Sequence, residues 1–280
     1  MITGDPPHLD SETLNEFRRS GVAVVRRAFT GWVEPLRAAL ESNLAEPGPW
    51  ATENTSAEEP GRFFDDYCNW NRIPTYEDFV RHSGAAALAA ALLGVDRIRL
   101  FHEHVFVKEN GTRHGTPWHQ DLPYYCVDGR QTVTIYLPLD PMGRETGVEF
   151  LVGSHRDDRL YRPAKFLTGK SYPGRTDLAP PPSTETLDRS RIVVHELEPG
   201  DALVFDFRTL HGSPSTVIEG RRRAFTTRWI GADVRYVDRG AETSPPYPEL
   251  NGLRTGDPLP EDLFPFIPIQ PDRAETGARD

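Results

Sequence analysis

The sequence predicts an α+β chain that is mainly β, with helices first and a double-sheet jelly roll after them. Two observations carry this. Hydrophobic residues recur at helical spacing over the first ~95 residues and then, from Arg97 onward, at every second position. Beyond that switch, Gly, Pro, Asn or Asp punctuate a series of short apolar runs. Helices followed by many short strands suit an α+β fold with a jelly-roll body.

The elements follow in order. Asp10 or Ser11 caps a short helix carrying Leu14 and Phe17, which Gly21 ends. Val22-Ala23-Val24-Val25 then reads as a strand. Trp32 to Leu44 is a second helix, with Val33, Leu36, Leu40 and Leu44 on one face. Ala85 to Leu93 is a third, stopped by Gly94. Ile98, Leu100, Val105 and Val107 open the strand-rich part. Val133, Ile135 and Leu137 alternate with Thr132, Thr134 and Tyr136, which gives a strand one apolar and one polar face. Short strands follow at Val148 to Val152, Ile192 to Leu197, Ala202 to Phe207 and Ala224 to Ile230. Residues 156–190, rich in Pro and Gly, form a long insertion of the kind that often serves as a lid. Residues 241–280 read as an extended Pro-rich tail, packed on the body or partly disordered. No internal repeat or second-domain boundary interrupts the chain, so residues 1–280 are expected to form one domain.

With 280 residues, 37% hydrophobic and 26% charged, the chain has the composition of a soluble globular protein. A net charge of −10 argues against nucleic acid, which needs a basic surface. No apolar run approaches the ~18 residues of a membrane span, and the N-terminus lacks a signal peptide's layout. Cys68 and Cys126 are too few for a disulfide framework and suit a reducing compartment. The expectation is a cytoplasmic monomer or homodimer with a small-molecule substrate.

Trp118-His119-Gln120-Asp121, answered downstream by His211, is the most pointed motif. Residues two apart on a strand share a side, so His119 and Asp121 can reach one cation while Gln120 points away. Two imidazoles and a carboxylate are the ligand set of a non-haem iron site. Residue types alone leave open a second reading, in which hydrogen-bonded histidines lie near an unrelated aspartate.

Trp118 through Tyr125, Gly153-Ser154-His155-Arg156, and Gly200-Asp201 with Leu210-His211-Gly212-Ser213 resemble the phytanoyl-CoA dioxygenase family. That family comprises iron(II)- and 2-oxoglutarate-dependent oxygenases on a double-stranded β-helix, a cupin-like jelly roll. The likeness runs from Phe17 to about Ile230. It implies a single oxygenase domain with a jelly-roll core over 97–235 and His119, Asp121 and His211 as iron ligands. The family's arginine for 2-oxoglutarate follows its distal histidine by about eleven residues and falls on Arg222. Arg221 and Arg223 then read as a solvated basic edge. Lys108, Tyr136 and Ser213 match positions near the co-substrate, and Thr134 shares the polar face of Tyr136.

The implied reaction takes Fe(II), 2-oxoglutarate and O2, hydroxylates a C–H bond of a small molecule of specialised metabolism, and releases succinate and CO2. With aspartate as carboxylate ligand, no vacancy remains for a halide, so halogenation is disfavoured. The competing readings are a cupin-type isomerase or dioxygenase without 2-oxoglutarate, and a non-catalytic binding jelly roll.

On the substrate side, His102, Tyr124, Trp118 and Trp229 are candidate pocket residues. Of the pair His102 and His104, one is expected in the cavity and the other in solvent. The aromatic segment Phe63 to Arg72 reads as non-strand, serving the core more than a pocket. His155 reads as part of a structural turn.

Overall fold

Asp10 opens α1 (Ser11–Ser20) by accepting the Thr13 amide at 2.7 Å, and Gly21 closes it with φ 79°. The computed structural model describes residues 7–55, 60–165, 170, 172 and 177–269. The chain continues through β1 (Val22–Val25), α2 (Val33–Ala45), β2 (Thr52–Glu53) and β3 (Phe63–Tyr67) to α3 (Pro74–His82) and α4 (Ala85–Leu93). Then come β4 (Ile98–Lys108), β5 (Thr116–His119), β6 (Val127–Asp128), β7 (Thr132–Pro138), β8 (Glu149–Leu151) and β9 (Ile192–Val194). The last strands are β10 (Ala202–Phe205), β11 (His211–Ser213), β12 (Arg222–Ile230), β13 (Arg235–Tyr236) and β14 (Phe266–Ile267).

Two antiparallel sheets make the jelly roll. The larger runs β1-β10-β7-β12-β4-β3-β2, with β14 also on β4; the smaller runs β5-β11-β8-β9. Strand parity divides the larger sheet into two faces. On β12, Phe225 and Trp229 turn outward into the core shared with the helices, where Tyr76 and Phe79 of α3 meet Phe225 at ring separations of 4.7 and 5.1 Å. Emptying such a site by Phe225→Ala costs about 3–5 kcal/mol. Arg222, Ala224, Thr226 and Arg228 alternate with them and face the cavity inside the roll.

The helical flank holds more strand than expected. Phe63–Tyr67 is a strand, not an irregular segment. Its two aspartates, poor strand formers, hid the alternation. Asp66 accepts from Asn43 Nδ2 and the Gly48 amide, each at 2.7 Å, and Asp65 pairs with His104. Burial with both charges partnered makes the strand viable.

The Pro-rich tail packs on the body as far as it is described. Leu250, Leu259 and Phe264 join Phe101, Leu122 and Phe207 in a second apolar cluster, and β14 pairs with β4 through Phe266↔Arg99 and Ile267↔Ile98. Residues 270–280 of the expected tail lie outside the described residues, as do 166–169, 171 and 173–176 of the expected lid.

Candidate metal centre and its cavity

His119 ends β5 and His211 begins β11, and the two are register partners. Gly212 permits this, since a Cβ there would lie 3.0 Å from the Thr116 carbonyl oxygen and 3.2 Å from the Trp118 amide. Asp121 is not on the strand, which stops at His119. It stands at the head of the 3-10 turn Leu122–Tyr124 with helical dihedrals. Gln120 points away and binds the Arg208 and Arg159 carbonyls at 3.0 and 3.1 Å. The two-residue spacing therefore delivers both ligands to one side through a turn, not through pleat alone.

The three side chains converge. One ligand atom from each lies within 4.8 Å of the others, and Asp121 Oδ1 sits 3.7 Å from the Nε2 of each histidine. Each Nδ1 lies within hydrogen-bond reach of a backbone carbonyl: His119 to Pro117 at 2.8 Å, His211 to Thr209 at 2.9 Å. Donation to those carbonyls fixes the tautomer and aims the Nε2 lone pairs inward. Burial, reinforced by neighbouring His119, pushes His211 down to about 3, so its imidazole is neutral. Burial would raise Asp121, but Arg228, with His119 and His211, more than reverses this and holds it well below the usual carboxylate range. Two imidazoles aimed inward and one ionised carboxylate fit Fe(II).

Arg222 and Lys108 are register partners on β12 and β4 and line the same cavity. Arg222 donates to the Thr146 carbonyl and, at 3.3 Å, to the Tyr136 hydroxyl. Lys108 donates to the His114 carbonyl at 2.7 Å and lies over the Phe63 ring. Ser213 lines the cavity between, its hydroxyl accepting the Thr116 amide at 3.0 Å. Thr134 shares the cavity with Tyr136, as their common strand face implies, and donates to Asp121 Oδ2 at 3.3 Å. Arg221 and Arg223 are not a solvated edge: Arg223 binds Asp140 through two nitrogens, and both pair with Glu41.

Residues 17–224 match the phytanoyl-CoA dioxygenase (PhyH) family. The chain belongs to that family. The family is one of non-haem iron, 2-oxoglutarate-dependent oxygenases. A Caenorhabditis elegans protein described as a probable phytanoyl-CoA dioxygenase is 26% identical over 179 residues, 59% of this chain and 54% of that one. The match thus spans about half the relative's length. The non-heme alpha ketoglutarate dependent carbocyclase SnoK from nogalamycin biosynthesis superposes with a TM-score of 0.73 at 21% identity, covering 95% of this chain and 100% of that chain. The epimerase SnoN, solved with Fe3+, alpha ketoglutarate and nogalamycin RO, gives 0.71 at 22%, covering 91% and 97%. At these identities the likeness is one of fold.

In this family member the cavity measures about 510 Å³. Its remaining wall includes Asp65 and Tyr67 of β3, His102 and His104 of β4, Lys165 and Tyr172 of the insertion, and Glu242 to Ser244 of the tail. Both histidines face inward, correcting the expectation that one meets solvent. They are two apart on one strand, so parity admits no other arrangement. His104 Nε2 meets Asp65 Oδ2 at 2.8 Å, with the Tyr67 ring edge-on at 5.1 Å. The aromatic segment thus serves both faces, Phe64 in the core and Tyr67 in the cavity.

Tyr124 lines the cavity, and its hydroxyl both donates to the Ala164 carbonyl at 2.8 Å and accepts its amide at 2.9 Å, tying down the insertion. Two tryptophans do not reach the cavity. Trp118 is turned out by the parity that turns His119 in, and it packs on Leu151 and Leu210 with its indole N–H on Thr184. Trp229 is fully buried on the helix side. Arg228 and the tail's share of the cavity escaped the sequence reading, while Asp65 and Tyr67 lay in the aromatic segment weighed as serving the core more than a pocket. Arg228 alone had a readable cue, standing six residues after Arg222 with the same parity. Among the described residues no helix is long and apolar enough to cross a membrane.

Proposed function

We propose that this chain oxidises a C–H bond of a small molecule of specialised metabolism, with iron held by His119, Asp121 and His211 and 2-oxoglutarate held by Arg222. One observation carries the reading: the inward-facing triad and Arg222 share one cavity. When bound, iron and 2-oxoglutarate supply dioxygen activation coupled to loss of CO2 and formation of succinate. The protein's residues do the rest. The carbonyls of Pro117 and Thr209 hold the two rings with their Nε2 atoms inward. Arg222 offers a planar fork to the far carboxylate of the co-substrate, with the Tyr136 hydroxyl beside it and Lys108 adding positive charge. Tyr124 and the anchored insertion screen the centre from water.

Hydroxylation is the simplest outcome. The polar and aromatic wall of Asp65, Tyr67, His104 and Tyr172 suits a ring compound bearing hydroxyl groups better than an acyl chain. Two fold neighbours from nogalamycin biosynthesis support a natural-product substrate. Because those neighbours are a carbocyclase and an epimerase, product analysis discriminates: hydroxylation adds one oxygen atom, ring closure removes two hydrogens, and epimerisation leaves the mass unchanged. We place the enzyme in the cytoplasm as a monomer or homodimer. The first test is anaerobic: Fe(II) with 2-oxoglutarate gives a weak visible charge-transfer band, and candidate natural products then stimulate succinate release in air. Absence of the band sinks the reading.

A further inference from the structure

The two oxygens of Asp121 are held differently. Oδ1 looks toward the two histidine Nε2 atoms, 3.7 Å from each. Oδ2 is turned the other way, onto Thr134 Oγ1 at 3.3 Å and Arg228 Nε at 3.4 Å. Thr134 on β7 and Arg228 on β12 are themselves register partners, so one rung of the large sheet presents a hydroxyl donor and an ion-pair partner to one atom.

Arg228 is fixed for this task. Its Nη1 donates to Thr226 Oγ1 at 2.9 Å, and Thr226 in turn donates to the His104 carbonyl at 2.8 Å. The guanidinium also lies 5.8 Å from the Tyr125 ring centroid. The residue is buried, so its charge must be matched nearby, and Asp121 is the carboxylate it meets.

A carboxylate free at both oxygens can chelate a cation through both, filling one more coordination position than a carboxylate held at one. We propose that Arg228, with Thr134, is a positioning pair that reserves Asp121 Oδ2 and keeps this aspartate a one-oxygen ligand, so that 2-oxoglutarate finds its position open. The inference rests on the iron and 2-oxoglutarate reading given above. In this arrangement Arg228 acts on co-substrate binding without touching the co-substrate.

The test uses the full-length chain under anaerobic conditions, with ferrous ammonium sulfate and 2-oxoglutarate, comparing wild type with Arg228→Met, Arg228→Lys and Thr134→Val. Iron affinity is read by equilibrium dialysis and 2-oxoglutarate affinity by the visible band. In Arg228→Met, iron binding should hold while the 2-oxoglutarate Kd rises about tenfold or more, the scale of one lost charge-assisted contact, and Arg228→Lys should recover part of the loss. Unchanged 2-oxoglutarate affinity in Arg228→Met overturns the proposal. So does a loss of iron binding as large as the loss of 2-oxoglutarate, which would make Arg228 a support of the whole ligand set. Should Arg228→Met fail to fold, Thr134→Val decides, since it removes one hydroxyl at nearly constant shape: a weaker 2-oxoglutarate complex with normal iron binding supports the proposal, and an unchanged complex overturns it. A wild type that binds iron but shows no band refutes the function proposed above and this inference with it, whereas a normal wild type with unaffected variants refutes this inference alone.

Discussion

The two ends of the cavity are built on different plans. At the metal end, His119 and His211 sit on paired strands with their rings at backbone carbonyls, and Asp121 follows one of them by two residues. Around the rest of the wall, β3, β4, the insertion and the tail each lend a few side chains. Position at the metal end is set by main chain, and at the opposite wall by long-range packing. A centre of the first kind keeps its chemistry while a wall of the second kind changes what it admits.

That contrast can be broken or sharpened by substitution. The largest effect belongs to the ligands: His119→Ala, Asp121→Ala or His211→Ala should reduce iron-dependent succinate formation by about two orders of magnitude or more. Near-normal turnover in any of them removes the metal end from the comparison. Next comes Arg222→Met. Charge-assisted hydrogen bonds contribute about 1.5–3 kcal/mol, so the 2-oxoglutarate Kd should rise about 10- to 100-fold, as a titration of the visible band would read.

Glu103 tests the backing of the opposite wall. Fully buried on the outer face of β4, it accepts the Asn69 amide at 2.5 Å and the Trp70 amide at 2.9 Å. Burial, only partly offset by those amides, raises its carboxyl to about 8. Between the ordinary carboxyl range and pH 8 the folded chain keeps a proton that the unfolded chain releases, so this group's contribution to stability falls as pH rises across that window. Thermal unfolding followed from pH 5 to 8 should show that decline, and Glu103→Gln should flatten it. An identical slope in the variant counts against the assignment.

The smallest effect is expected of Tyr124→Phe. Losing the hydroxyl frees both polar groups of Ala164, at about 1 kcal/mol per bond. Faster amide exchange at Ala164 and a few-fold weaker substrate binding should accompany unchanged iron and 2-oxoglutarate affinity.

The same contrast explains what was legible in the sequence. His119, Gln120, Asp121 and the family's flanking residues lie in one local run, and local runs are what a sequence displays. The jelly roll was legible through the alternation around Val133, Ile135 and Leu137. Asp65 and Tyr67 were legible only as part of an aromatic segment weighed mainly for the core, because two aspartates masked the period of β3 and their cavity neighbours lie on other segments. Trp118 and Trp229 misled for a related reason: an aromatic near a ligand attracts a pocket role, yet strand parity turns each one outward. Arg228 shared parity with Arg222, but its partner Asp121 lies over a hundred residues earlier, on a turn that composition alone does not place.

The tail has a consequence for how the protein comes to be. β1, near the start of the chain, pairs with β10, and β14, near its end, pairs with β4, while Glu242 to Ser244 complete the cavity. Contacts between such distant segments close late, after the loops between them have been ordered. A chain still emerging from the ribosome therefore carries β3, β4, His119 and Asp121 before His211 can join them, and before the tail can complete the wall. The ligand set closes only when His211 arrives, so a half-made chain has no complete set with which to hold iron.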